Sequence, residues 1–292
     1  GQFPPVTMTG GKLKSLTFES PVASAQVKTA LMLAATQAEG TLNFIEPSLS
    51  RDHTERMFRA MGVDFLSEIT PQGAHRIQIV GPQELKACAV KVPGDVSSAA
   101  FFLVAASIQD GSDILIRNVG VNPTRDGSIE VLARMGADIT RLHERVSSGE
   151  PVADLRVKSA HLRGTQISGN EIPRLVDELP VIAVAAAHAS GKTIVRNASE
   201  LRVKESDRIA MTAQIVESMG GQIEVFDDGF CVTGQPQGPF RGFDISAVGD
   251  HRIAMASCIA GLSAQGETTI RGADSINTSF PGFLTKLEGL RG

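Results

Sequence analysis

The run Leu201-Arg202-Val203-Lys204-Glu205-Ser206-Asp207-Arg208 crowds three cations and two carboxylates into eight residues. If a helix runs from Val203, Lys204 and Arg208 stand at i,i+4 and share a face. Two cations so placed repel unless an anion lies between them, so the run predicts an anion site. The plainer reading is a solvated surface on which Glu205 and Arg208 form a marginal i,i+3 ion pair. Two further loops carry the same kind of side chain, Ser50-Arg51-Asp52-His53 and Pro123-Thr124-Arg125-Asp126. Equivalent loops of a repeated fold open on one side, which lets several arginines converge on one anionic ligand.

Carboxylates for proton transfer stand in Val176-Asp177-Glu178-Leu179-Pro180, just before an apolar helix. Asp177 there either caps the helix or serves as general base towards a hydroxyl, its pKa set by nearby cations. Gly249-Asp250-His251-Arg252 marks another helix start, with Asp250 a candidate cap and Arg252 a cation aimed at the same end of the molecule. Ala23-Ser24-Ala25-Gln26-Val27-Lys28 opens a helix whose unpaired backbone N–H groups and Ser24 hydroxyl suit a phosphate, although a serine there is also an ordinary cap. Pro93-Gly94-Asp95-Val96-Ser97-Ser98 reads as capping. Ser190-Gly191-Lys192-Thr193 imitates the end of a phosphate-binding P-loop, but Ala186 stands where its first glycine belongs, and a helix precedes and a strand follows, the reverse of that motif. The six histidines lack H-x-x-x-H spacing, and no Ser/His/Asp set assembles from the sequence, so metal hydrolysis and acyl transfer have little support.

These residues ride on a repeat. Four times a small-residue helix leads to a glycine and a β-branched strand, a polar loop, and a second helix. The strand starts are Gly40-Thr41-Leu42, Gly111-Ser112-Asp113, Gly191-Lys192-Thr193 and Gly266-Glu267-Thr268, roughly 70 to 80 residues apart. The preceding Ala-rich runs span 24–35, 97–106, 181–189 and 252–264. The second helix closes on Met61-Gly62, Met135-Gly136 and Met219-Gly220, and more weakly on Glu288-Gly289. Small residues permit close helix packing in a shared centre, with the strands outside. The spacing predicts a helix over 52–61 and strands over 76–80 and 89–92. Pro93-Gly94 then sets a domain boundary: 1–92 hold one repeat and the tail of another, an incomplete first domain, and 93–292 hold three repeats, a nearly complete second. Residues 147–151, Ser-Ser-Gly-Glu-Pro, read as an exposed loop.

With 292 residues and a net charge of −4, the chain can bury a real core and lacks the basic excess of a nucleic-acid binder. Three cysteines, far apart and odd in number, suggest neither a disulfide framework nor a zinc site, which fits a reducing cytoplasm. Its apolar helices are too short to span a bilayer. With no Trp or Tyr and thirteen scattered Phe, no stacking platform for bases is evident. The opening Gln2-Phe3-Pro4-Pro5-Val6 reads like the middle of a domain, so an amino-terminal part is expected to be missing.

Together the motifs resemble the 5-enolpyruvylshikimate-3-phosphate synthase family, in its bacterial class II form. The matching stretches are residues 23–28, Ser50-Arg51-Asp52-His53-Thr54-Glu55, Pro93-Gly94-Asp95, Asp177-Glu178-Leu179-Pro180, residues 201–208, Asp250-His251-Arg252 and Ser279-Phe280-Pro281, in the family's order. The resemblance implies a two-domain α/β fold of βαβαββ units with helices inside and sheets outside, here with the first domain incomplete. It implies enolpyruvyl transfer from phosphoenolpyruvate to the 5-hydroxyl of shikimate 3-phosphate, without metal or organic cofactor. Ser24, Ala25 and Gln26 would contact shikimate 3-phosphate, with Arg51 and Lys204 on its phosphate or hydroxyls. Arg208 and Arg252 would hold phosphoenolpyruvate, Asp177 would take the hydroxyl proton, and Glu205 would serve proton transfer at the enol methylene. The lysine that many relatives carry before the Phe-Pro of the last motif is replaced here by Thr278-Ser279. The missing segment, when present, would be a partner, and a cytoplasmic monomer is expected, with neither nucleic acid nor membrane as partner. Two other readings stand beside this one: the sister enolpyruvyl transferase acting on UDP-N-acetylglucosamine, and a non-catalytic anion-binding scaffold of the same fold.

Overall fold

The computed structural model describes residues 5–290, and the chain divides into two compact units, Gly1–Lys91 and Val92–Gly292. The first contains β1 (Lys14–Glu19), α1 (Ala25–Ala35), β2 (Glu39–Glu46), α2 (His53–Ala60), β3 (Phe65–Ile69) and β4 (His75–Gly81). Its sheet runs β1-β2-β4-β3, with β1 parallel to β2 and the remaining pairs antiparallel. Alternation fixes the register: Leu42 and Phe44 point inward from β2 opposite Ile79 and Ile77 of β4, and all four are buried with Met32 and Phe58 from the two helices. The expected strand at 89–92 is absent: those residues are exposed connecting chain. Alternation of short side chains such as Ala89, Val90 and Val92 has no buried face to stabilise it there.

The second unit runs α3 (Val96–Ile108), β5 (Asp113–Gly120), α4 (Gly127–Arg134), β6 (Asp138–Ser147), β7 (Glu150–Lys158), β8 (Gln166–Ile167), α5 (Ile172–Leu175), α6 (Leu179–Ala187), β9 (Gly191–Val195), α7 (Arg208–Ser218), β10 (Gln222–Phe226), β11 (Gly229–Gly234), β12 (Asp244–Ser246), α8 (His251–Leu262), β13 (Thr269–Arg271), α9 (Ile276–Ser279) and α10 (Phe283–Glu288). Its sheets are β5-β7-β6, β8-β9-β11-β10 and the parallel pair β12-β13. The middle one repeats the strand order of the first unit. Helices α3, α6 and α8 pack on one another in the centre, and all nine residues of α6 are buried, as expected of a helix that is apolar around its whole circumference. Phenylalanines that look scattered in the sequence gather against this centre: the Phe102 ring lies 5.9 Å from Phe280 and 5.5 Å from Phe283, edge-on.

Met61, Met135 and Met219 are the C-caps of α2, α4 and α7. The glycine after each takes a left-handed conformation, with φ of 77°, 95° and 95° at Gly62, Gly136 and Gly220, so each closing Met-Gly is a C-terminal cap. Gly289 has φ of −65° and is itself the C-cap of α10, which is why the fourth copy carries the weaker signature. The supposed loop at 147–151 is a tight hairpin between β6 and β7: Ser148 and Gly149 turn it with φ of 51° and 82°, and Asn122 donates to Glu150 at 3.0 Å.

Candidate active site

In the second unit, three chain segments bring their charged side chains together at the starts of α6, α7 and α8. Arg208 is the hub. Its side chain is 1% exposed, and its guanidinium is engaged on every side. Nε donates to Asp250 Oδ2 at 2.8 Å, Nη2 to Asp250 Oδ1 at 3.3 Å and to Glu205 Oε2 at 2.5 Å, and Nη1 to Asp177 Oδ1 at 3.2 Å. Asp250 does two jobs at once, because it also accepts from the Arg252 backbone N–H at 2.9 Å and so caps α8; Ser206 Oγ adds a third donor at 2.9 Å. Burial would raise the Asp250 pKa, but the Arg208 hydrogen bond and charge, with Ser206 and the cap bond, bring it below the usual carboxylate value.

Asp177 lies in a 3₁₀ turn, Val176–Glu178, and the N-cap residue of α6 is its neighbour Glu178; the Asp177 carboxylate reaches Arg208 and, at 3.7 Å, Arg252 Nη2. Arg252 Nη1 donates to the Asp177 carbonyl at 3.3 Å and lies 3.6 Å from Glu178 Oε1. Two arginines thus share four carboxylates, of which Glu205 is the most exposed, at 52%.

The expectation that Lys204 and Arg208 ride one helical face is corrected. A 3₁₀ turn covers Ser199–Val203, and α7 starts only at Arg208 because Asp207, not Ser206, caps it through Ile209 and Ala210 N–H at 3.1 Å each. Lys204 pairs with Glu200. Arg125, in the analogous loop, donates to Asp95 at 3.0 Å and to Ser97 at 2.5 Å, and Asp95 caps α3.

In the first unit, Ser24 is the N-cap of α1, accepting from Val27 N–H at 3.4 Å, and Ala25 and Gln26 begin the helix. Behind them sits a buried charge cluster that sequence reasoning passed over. Lys28, fully buried, touches Glu46 at 3.1 Å and Glu55 at 2.7 Å and donates to the Ser50 carbonyl at 3.3 Å. Glu46 Oε1 also accepts from Ser50 N–H at 3.1 Å, Ser50 Oγ at 3.0 Å and His75 Nδ1 at 2.9 Å. Burial alone would raise the Glu46 pKa; the His75 bond, the Lys28 charge and the two Ser50 donors lower it to about 2. The cluster therefore locks Ser50, and with it the backbone that carries Arg51, onto α1. Its one readable sign is spacing, since Lys28 falls on the stripe of buried Met32 and Ala35.

Inner helices and outer sheets of this kind are the architecture of the enolpyruvyl transferases: 97% of the chain matches 65% of the enolpyruvyl transferase NikO from Streptomyces tendae with a TM-score of 0.72 at 20% identity, a likeness of fold alone. The family model for EPSP synthase (3-phosphoshikimate 1-carboxyvinyltransferase) matches residues 1–287, and the chain belongs to that family. It is 50% identical to the 3-phosphoshikimate 1-carboxyvinyltransferase of Synechococcus sp. (strain JA-3-3Ab) over 290 residues, 99% of this chain and 64% of that protein. With that of Desulforamulus reducens the identity is 51% over 97% of this chain and 65% of the relative. A solved EPSP synthase from Acinetobacter baumannii matches with a TM-score of 0.88 at 44% identity, covering 99% of this chain and 65% of that one. The chain thus spans a little under two thirds of the length of these relatives. No helix among the described residues is long and apolar enough to cross a membrane.

Proposed function

We infer that the chain serves enolpyruvyl transfer from phosphoenolpyruvate to the 5-hydroxyl of shikimate 3-phosphate, with release of phosphate. What carries this reading is the meeting of Asp177, Glu205, Arg208, Asp250 and Arg252 around one buried guanidinium. Highly anionic substrates need fixed cations, and an addition intermediate needs an acid and a base near the same carbon. Asp177 takes the hydroxyl proton as the oxygen bonds to C2 of phosphoenolpyruvate, and Glu205 delivers a proton to C3, which becomes a methyl group. Elimination returns one methyl proton to a carboxylate, re-forms the C2–C3 double bond and expels phosphate with the electrons of its C2–O bond. An anion reaching Arg208 takes the place of Glu205, the most solvent-exposed of its partners; Arg252 is the second anion holder. Ser24, Ala25, Gln26 and Arg51 in the first unit are read as ligands of shikimate 3-phosphate, as is Lys204 in the second. The same reading makes the protein a cytoplasmic monomer that uses no metal or organic cofactor.

The test is phosphate release from phosphoenolpyruvate plus shikimate 3-phosphate, by this chain alone and mixed with the separately expressed amino-terminal segment of a close relative. Release that needs both substrates and disappears in Asp177→Ala is expected. Absence of release in both mixtures defeats the reading, and release only with UDP-N-acetylglucosamine as acceptor moves the assignment to the sister reaction.

A further inference from the structure

Of the two adjacent carboxylates before α6, only Asp177 reaches Arg208; Glu178 is turned inward, 2% exposed. Burying a carboxylate is unfavourable unless other groups compensate it, and burial holds the Glu178 pKa above the usual carboxylate value. Helix capping does not account for its position, since Glu178 is the N-cap residue of α6 yet its side chain makes no cap bond. Its surroundings do. Arg252 Nη1 of α8 lies 3.6 Å from Oε1, an atom with no hydrogen bond of its own. The Ser97 hydroxyl of α3 and the charges of Arg125 and Asp177 also bear on the carboxyl. Ser97 Oγ in turn accepts from Arg125 Nη2 at 2.5 Å. Glu178 thus stands where α3, α6, α8 and the loop before α4 meet, behind the guanidinium of Arg252.

We propose that Glu178 is a positioning residue: it braces the Arg252 guanidinium from the interior side, so that Arg252 meets an anionic ligand in one fixed orientation. The brace has two parts. The Asp177 carbonyl and Glu178 Oε1 both face Nη1, and the Asp177 carboxylate faces Nη2, which restrains rotation of the guanidinium plane. Glu178 touches no reacting atom in this arrangement and acts only through Arg252.

The inference rests on the reading of Arg252 as an anion holder, so the experiment separates the two. Arginine side-chain signals of the ¹⁵N-labelled chain are compared between wild type and Glu178→Gln, with Arg252→Lys identifying the Arg252 signals and Glu178→Ala as a more severe variant. Wild type is expected to show separate, slowly rotating Nη–H signals for Arg252 that collapse to an averaged signal in Glu178→Gln. Phosphoenolpyruvate affinity, measured by calorimetry with shikimate 3-phosphate present, is expected to fall about tenfold in the same variant. Signals that stay resolved in Glu178→Gln overturn the proposal whatever the affinity does, and signals that collapse while wild-type affinity is retained overturn it as a device for the ligand. If the wild-type chain binds no phosphoenolpyruvate, the functional reading falls and the arginine signals alone decide the brace. Should Glu178→Ala fail to fold, Glu178→Gln, which keeps the side-chain shape, gives the answer.

Discussion

Replacing Lys28 with methionine removes the ammonium that both Glu46 and Glu55 touch, 3.1 and 2.7 Å away, and leaves those carboxylates buried. Breaking a buried pair from one side destabilises by about 3–5 kcal/mol, so urea unfolding of Lys28→Met should lose stability of that order. A loss under about 1 kcal/mol, the worth of an exposed pair, would show that water reaches the cluster. The sequence offers half of this arrangement. Lys28 at helical spacing from Met32 and Ala35 announces a lysine on a buried face, but nothing local identifies Glu46, 18 residues on, or His75, 29 beyond that, as its surroundings. The same holds for Arg208 and Asp250, 42 residues apart: a motif supplies the chemistry of each, and only the packing of α7 against α8 supplies the pairing. In Asp177-Glu178 the sequence shows two like residues and no sign of which one turns inward.

The Met-Gly closures make a comparative test of helix ends. At Gly220, φ is 95°, and a Cβ there would lie 3.1 Å from the Pro239 carbonyl oxygen. Gly220→Ala should therefore destabilise by about 1–2 kcal/mol. Gly289→Ala has a helical φ of −65° and should be neutral or slightly stabilising, since alanine is the better helix former. Equal thermal shifts for the two would contradict the capping account. Repeats were readable in advance because each copy writes the same helix and strand periods with the same punctuation. Where the reading failed, a competing local device had won. Asp207 captures the first N–H groups of α7 and delays that helix past Lys204, and the apolar alternation at 89–92 lies on exposed chain where burial gives it no support.

Acid should act with opposite signs on two buried carboxylates, Glu46 of the first unit and Glu178 of the second. Glu46 carries a folded-state pKa of about 2 against an ordinary 4.5. Its contribution, on the order of 3 kcal/mol, is present above pH 4.5 and is lost as pH falls towards 2. The raised pKa of Glu178 in the second unit works the other way, favouring the folded state at low pH and giving up that advantage as pH rises through its folded value. Melting curves of the chain between pH 5 and 2 should therefore show the transition of the first unit moving to lower temperature, and Glu46→Gln should flatten that dependence. An unchanged slope in Glu46→Gln would assign the acid lability elsewhere.

Every side chain of α6 is enclosed by protein, and the pair Asp177-Glu178 occupies the turn that leads directly into it. Backbone amides so enclosed exchange with solvent only when the whole unit opens, whereas loops and frayed ends exchange through small local excursions. A carboxylate hung on a peripheral loop would spend part of its time out of register; Asp177 is fastened to what should be the slowest-exchanging helix of its unit. Substitution along α6 is correspondingly constrained, because an added methylene among close-packed alanines has nowhere to go but into the helix axis, and a shift of that axis carries Asp177 with it.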